Sequence, residues 1–207
     1  MSRVYKLNMS NKEKEWDEII KIKTTGRDDS RSDQYRYPYE PTPYLVLERL
    51  ANSGLLRKND VILDYGCGKG RVDFFLSYQA RAKSIGIEYD ERIYAIARNN
   101  QNAAISGNRV SFLMQKAEDY EVPSEVNIFY FFNPFSVEIL RKVIARIIDS
   151  YYLEARKLLL FFYYPSDEYI SYLMTVDELE FMDEIDCRDL FDEDDQRERI
   201  TIFQIQM

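Results

Sequence analysis

Two acidic residues flank a run of alternating glycines. In Asp64-Tyr65-Gly66-Cys67-Gly68-Lys69-Gly70 a carboxylate stands two residues ahead of Gly66, and Glu88 closes the next apolar run. Glycines at alternate positions remove side chains where a backbone turns sharply and a ligand approaches closely. A dinucleotide loop has the spacing G-x-G-x-x-G and holds a pyrophosphate at a helix N-terminus. In this chain the third glycine comes one residue early, and Arg71 fills the dinucleotide position. A carboxylate at Asp64 repels pyrophosphate and suits a cationic ligand without phosphate. Glu88 is placed to accept both hydroxyls of a ribose. The plainer alternative is a tight strand–helix turn that needs its glycines for geometry alone.

A second constellation is Asn133-Pro134-Phe135, and a third is the segment YRYPYEPTPY at 35–44, with Tyr35, Tyr37, Tyr39 and Tyr44 among three prolines. Aromatic faces suit a planar base or an ammonium. The segment reads as a lid over a ligand or as a packed wrap over the sheet. Tyr39 and Thr42, beside the proline pair, are the expected substrate contacts, together with Phe135. Asn before Pro is also a common strand-ending turn. Cys67, inside the glycine loop, reads as a small residue rather than a nucleophile.

The elements around these residues follow a regular pattern. Apolar runs at 61–66, 84–89, 110–115, 126–132 and 157–164 read as buried strands. Helical spacing covers 11–23, 44–53, 71–82, 91–105, 136–155 and 167–175. Two further strands are expected at 179–186 and 198–206, without a helix between them. The fold class is therefore α/β: a Rossmann-like, mostly parallel seven-stranded sheet with a C-terminal antiparallel hairpin and helices on both faces. Residues 24–34 read as a polar, flexible loop. Residues 1–54 are expected to be an N-terminal helical and Tyr-Pro segment with a lid, and 55–207 the ligand-binding domain. Ligands in such sheets bind beyond the carboxyl ends of the strands, where 64–70, 88–90, 116–120, 133–136 and 165–167 fall.

S-adenosylmethionine combines an ammonium, a sulfonium and an adenosine, so Asp64 and Glu88 would face its two ends. Residues 61–135 resemble the class I S-adenosylmethionine-dependent methyltransferases, through DYGCGKG at 64–70, IEYD at 87–90, KAED at 116–119 and FNPF at 132–135. The resemblance implies that Asp64, Gly66, Cys67, Gly68 and Gly70 hold the methionine part, Glu88 and Tyr89 the ribose, and Ala117 and Glu118 the adenine. S-adenosylhomocysteine would be the product. Lys116-Ala117 stands where the family often has Asp-Ala, which passes the adenine amino group to Glu118, Asp119 or water. Asn133-Pro134-Phe135 resembles the Asn-Pro-Pro-Tyr/Phe motif of amino-group methyltransferases, minus one proline. That implies a catalytic role for Asn133, Pro134 and Phe135 in holding an acceptor amine, with Asn133 also near the cofactor. Tyr39-Glu40-Pro41-Thr42 is similar to the Tyr-x-Pro-Thr segment ahead of the glycine loop in small lysine methyltransferases.

Composition narrows the chemistry. The 207 residues contain no histidine and two cysteines. This excludes a Ser-His-Asp triad, a His-ligated metal and a Cys₄ zinc site, so no metal is expected. The net charge of −8 is concentrated: residues 177–198 hold twelve acidic and two basic side chains. Their loop, near 187–197, is expected on the same sheet edge as the site. There it would attract a cationic acceptor and repel a polyphosphate. The favoured acceptor is accordingly an amine nitrogen, in protein lysine or a small molecule. An RNA or DNA base methyltransferase and a non-catalytic S-adenosylmethionine-binding protein are the alternatives, and Asp64 and Arg71 disfavour a nicotinamide oxidoreductase. No apolar run has the length of a bilayer span, and the first residues lack the apolar stretch of a signal peptide. The expected setting is the cytoplasm, with no membrane partner.

Overall fold

The computed structural model describes residues 3–28 and 35–205, with the backbone alone for 3–10. The chain runs α1 (Arg3–Ile20), α2 (Tyr44–Ala51), β1 (Val61–Tyr65), α3 (Arg71–Ala80), β2 (Lys83–Glu88), α4 (Glu91–Ala103), β3 (Val110–Met114), β4 (Ile128–Phe131), α5 (Val137–Leu153), β5 (Leu158–Tyr163), α6 (Asp167–Leu173), β6 (Leu179–Asp186) and β7 (Arg199–Ile205). The sheet order is β3-β2-β1-β4-β5-β7-β6. The first five strands in chain order are parallel, and β7 runs antiparallel to both β5 and β6. This is the mixed seven-stranded sheet expected from the sequence. Strand order reverses between β1 and β4, which opens a crevice at their carboxyl ends.

Two elements differ from the spacing. The first helix begins at Arg3 rather than 11 and ends at Ile20 rather than 23. Lys21 turns left-handed at φ 61°, and Ile22 N–H donates back to the Asp17 carbonyl at 2.8 Å. The Asp17 carboxylate then takes the Thr24 N–H at 2.8 Å and the Thr24 hydroxyl at 2.6 Å, which closes the turn. β4 begins at Ile128 rather than 126, because the Asn127 amide is used to tie strand starts together. Its oxygen accepts from Val61 N–H and its nitrogen donates to Asp60, both at 2.8 Å. Of the polar stretch 24–34, residues 29–34 lie outside the described residues.

Both sheet faces are covered. On one, Ile62, Tyr130, Phe161 and Ile202 pack with Phe74 and Phe75 of α3, Leu47 and Leu50 of α2, and Ile20 and Ile22. On the other, Leu63, Phe129, Leu160 and Phe203 pack with Leu140, Val143, Ile144 and Ile147 of α5. The N-terminal segment thus shares a core with the sheet. An aromatic ladder crosses the carboxyl half of the second face. Tyr65 stacks on Phe131 at 5.2 Å, and Phe131 on Phe162 at 4.6 Å. Parallel register places these rings side by side on β1, β4 and β5, and such pairs stabilise beyond their buried area. Among the described residues no helix is long and apolar enough to cross a membrane.

Candidate functional site

The glycine loop joins β1 to α3 at the crevice. Gly66 and Gly68 adopt φ 73° and 56°, left-handed values that suit glycine. A Cβ at Gly66 would overlap Pro134, and one at Gly68 would overlap the Tyr39 ring. The loop is pinned by Gly66 and Cys67 N–H groups donating to the Ile87 carbonyl at 2.9 and 3.0 Å. Cys67 is buried, and burial raises its thiol well above the ordinary value, so it is neutral and unreactive.

Beneath the loop lies an uncompensated pair of acids. Asp64, at the end of β1, is 3% exposed, and its Oδ2 has no hydrogen-bond partner among the described residues. Burial, then the facing Asp73 carboxylate, raises the Asp64 carboxyl well above its ordinary range. Asp73 is fully buried, accepts from the Ser84 hydroxyl at 2.6 Å, and is pushed by burial up to about 7. Two carboxyls so placed share a proton until a cation arrives. Asp73 was not among the residues singled out in the sequence. Its signal was a charge inside the apolar run RVDFFLSYQA.

Glu88, at the end of β2, is buried and held by three backbone donors. Oε1 accepts from Tyr89 and Asp90 N–H, each at 2.8 Å, and Oε2 from Gly68 N–H at 3.1 Å. Oε1 is thereby filled, and Oε2 keeps one acceptor direction, since each carboxylate oxygen offers about two. Tyr89, Ala117, Glu118 and Gln115 continue the wall, while Asp119 does not line it. The cleft formed by these residues and the loop measures about 940 Å³ with its open mouth.

Residues 35–39 run across the mouth as a strap. Ser136 N–H donates to the Tyr35 carbonyl at 2.8 Å, and Tyr37 N–H to the Pro134 carbonyl at 3.3 Å. Arg36 pairs with Glu118 at 2.8 Å, and its guanidinium lies 4.8 Å from the Tyr89 ring centre. Tyr39 donates to the Thr24 carbonyl at 2.6 Å. Thr42 is buried, 3.1 Å from the Tyr130 hydroxyl. Arg71 anchors the whole segment. Only 2% exposed, it donates to Thr24 Oγ1 at 2.8 Å, to the Thr42 carbonyl at 3.1 Å and to Glu13, and stacks on Tyr44. Its position after the glycines follows from this anchoring.

The Asn133-Pro134-Phe135 motif is arranged otherwise than its resemblance implies. Asn133, at φ 38°, donates through Nδ2 to the Tyr164 carbonyl at 2.5 Å, and its Oδ1 accepts from Ser166 N–H at 3.3 Å. The Pro134 carbonyl is taken by the strap. The Phe135 carbonyl accepts from Tyr169 Oη at 2.5 Å, and its ring packs edge-on to Tyr65 and Phe131. The expected amine-holding acceptors are therefore bonded within the fold, because the β4 and β5 loops and the strap meet there.

Asn133 instead borders a second, open cleft. Phe132, Tyr163, Tyr164, Phe191, Glu40 and Glu198 are among its walls, and Tyr37, Pro38, Glu40, Pro41 and Phe132 line both clefts. The acidic loop between β6 and β7 does lie on this edge, contributing Phe191 and Glu198.

Comparison with known proteins agrees with this geometry. Residues 62–151 match the family described as Methyltransferase domain. A 72-residue stretch is 32% identical to a protein-lysine N-methyltransferase of Saccharolobus islandicus (strain REY15A), covering 34% of this chain and 45% of that relative, so the chain spans less than half of its length. Among solved structures, an RNA methyltransferase from Salinibacter ruber in complex with S-adenosyl-L-homocysteine aligns with TM-score 0.53 and 18% identity, over 80% of this chain and 92% of that one. An rRNA methylase from Streptococcus thermophilus gives TM-score 0.55 and 14% identity, over 81% and 98%. A TehB-like SAM-dependent methyltransferase from Corynebacterium glutamicum gives 0.56 and 16%, over 78% and 88%. At these identities the structural likeness concerns the fold.

Proposed function

This chain carries a class I S-adenosylmethionine-dependent methyltransferase domain, and on that premise we propose that it transfers a methyl group to an amine nitrogen, with protein lysine as the favoured acceptor. The observation that carries the reading is the buried, uncompensated Asp64–Asp73 pair beneath the glycine loop. It fits a ligand bearing an ammonium and excludes one bearing a diphosphate. Asp64 holds the ammonium, the loop from Gly66 to Gly70 lies against the methionine chain, Glu88 and Tyr89 take the ribose, and Ala117, Glu118 and Gln115 bound the adenine. The bound cofactor supplies a methyl group already activated by a sulfonium. The protein's part is alignment, which is worth a large share of the acceleration. The acidic loop on the same edge supports a cationic acceptor over a nucleic acid, as does the short likeness to a lysine methyltransferase.

Calorimetry is expected to show binding of S-adenosylmethionine and S-adenosylhomocysteine and none of NAD. Binding of NAD alone would sink the reading. Labelled methyl transfer across lysine peptides, polyamines and RNA, at low and high salt, tests the acceptor; label entering RNA alone would replace amine by base.

The strap is read as a lid. Arg36→Ala removes the Glu118 pair at the adenine end and the Tyr89 stack at the ribose. Release of S-adenosylhomocysteine, followed by stopped flow, is expected to quicken about tenfold, the loss of one partly buried charged contact. An unchanged rate would make the strap a structural wrap.

A further inference from the structure

The Asn133, Pro134 and Phe135 oxygens each already accept a hydrogen bond within the fold, which directs attention to a neighbouring place for the acceptor. The second cleft opens beside Asn133 and shares its Tyr37-Pro38-Glu40-Pro41 wall and Phe132 with the cofactor cleft. Its walls are aromatic: Phe132 lies 4.7 Å from Tyr163 and 6.4 Å from Tyr164, centre to centre. Ring faces and carboxylates attract cations, and two of the chain's own cations already sit on this cleft's walls. Arg197 stacks on Tyr164 at 4.4 Å, and Arg27, on the rim, pairs with Glu40 at 3.5 Å. Glu198 projects from the start of β7, and its Oε2 accepts from the Tyr163 hydroxyl at 2.7 Å. The hydroxyl holds the carboxylate in one orientation against the ring wall.

We propose that this second cleft is the acceptor site, that it takes a primary ammonium such as a lysine side chain among Phe132, Tyr163 and Tyr164, and that Glu198 is the base that receives its proton. The inference rests on the methyltransferase reading and adds the acceptor's place and the proton's destination. An ammonium has no lone pair, so one proton must leave before transfer. It passes to the Glu198 carboxylate. The freed lone pair then forms the nitrogen–carbon bond while the methyl–sulfur bond breaks. The electrons of that bond stay on sulfur, and the positive charge moves to the methylated nitrogen. The groups facing Glu198 are Tyr163 and Tyr164 at the end of β5, Cys187 just after β6, Asp195 and Arg197 from its own loop, and Glu40 just after the strap. Burial first, then Asp195 and Glu40, raises its carboxyl above the ordinary value, and the Tyr163 hydrogen bond and Arg197 oppose this. A raised carboxyl is the better proton acceptor near neutrality.

The test compares the wild-type chain with Glu198→Gln, which keeps the shape and a partner for Tyr163. The acceptors are N-acetyl-lysine amide and a lysine-rich peptide. For Glu198→Gln, kcat/KM at pH 7 is expected to fall about a hundredfold, the usual worth of a positioned base. The deficit should shrink tenfold per pH unit as free amine replaces ammonium. S-adenosylhomocysteine affinity should stay within about twofold of wild type, since Glu198 lies outside the cofactor cleft. A variant that matches wild type at every pH overturns the inference while leaving the amine reading intact. A wild-type chain that binds cofactor yet methylates RNA and no amine overturns both.

Discussion

Asp64→Asn is expected to weaken S-adenosylmethionine binding by about 1.5–3 kcal/mol, roughly ten- to a hundredfold, the worth of a hydrogen bond to a charged group. The same change should stabilise the unliganded chain at pH 8. The two effects diverge because the unliganded fold buries Asp64 against Asp73 with no cation between them. Burial raises both carboxyls, Asp73 to about 7. The folded chain therefore holds a proton that the unfolded chain releases near pH 4. Stability is fully present below the ordinary carboxylate value and is lost as pH rises toward about 7. The cofactor's ammonium favours the charged form, so its binding expels that proton, and affinity should rise with pH over the raised range of the pair. Calorimetry at pH 6 in two buffers of different ionisation heat measures the proton count directly. Equal apparent enthalpies in wild type would show that no proton is released. Loss of the buffer difference in Asp64→Asn would locate the proton.

Arg71→Ala should cost about 3–5 kcal/mol, because removing one partner of a buried charge network strands the other. Domains of this size are stable by about 5–15 kcal/mol, so the variant is expected to sit near the edge of folding. Arg71 holds Thr24, Thr25, Thr42 and Glu13 together, and Asp17 lies 3.9 Å away. Without the guanidinium, Glu13 and Asp17 face each other across a buried gap. Arg71→Lys retains the charge but not the planar fork, and should recover only part of the loss. Urea midpoints for the three chains check this. A cost below about 1 kcal/mol, the range of an exposed pair, would show that the N-terminal segment packs without its anchor.

The strands and helices of residues 61–205 lie within two residues of their sequence spacing, because apolar runs flanked by turns can be buried in few ways. The glycine loop was equally legible. Asp64 and Glu88 took their places from strand ends, and local pattern defines strand ends. What the sequence by itself determined was thus a mostly parallel sheet with a glycine loop between two carboxylates at its switch point. The tertiary structure decided the rest, because the deciding contacts join residues distant in the chain. Asp73 matters through its position facing Asp64, and Arg71 through partners 29 to 58 positions away. Asn133 matched an amine-holding motif by spacing, yet its amide bonds to Tyr164 and Ser166, and a motif cannot report which neighbour reaches it first. Tyr163 and Glu198, 35 positions apart, become one acid-and-ring wall only because β7 inserts antiparallel beside β5.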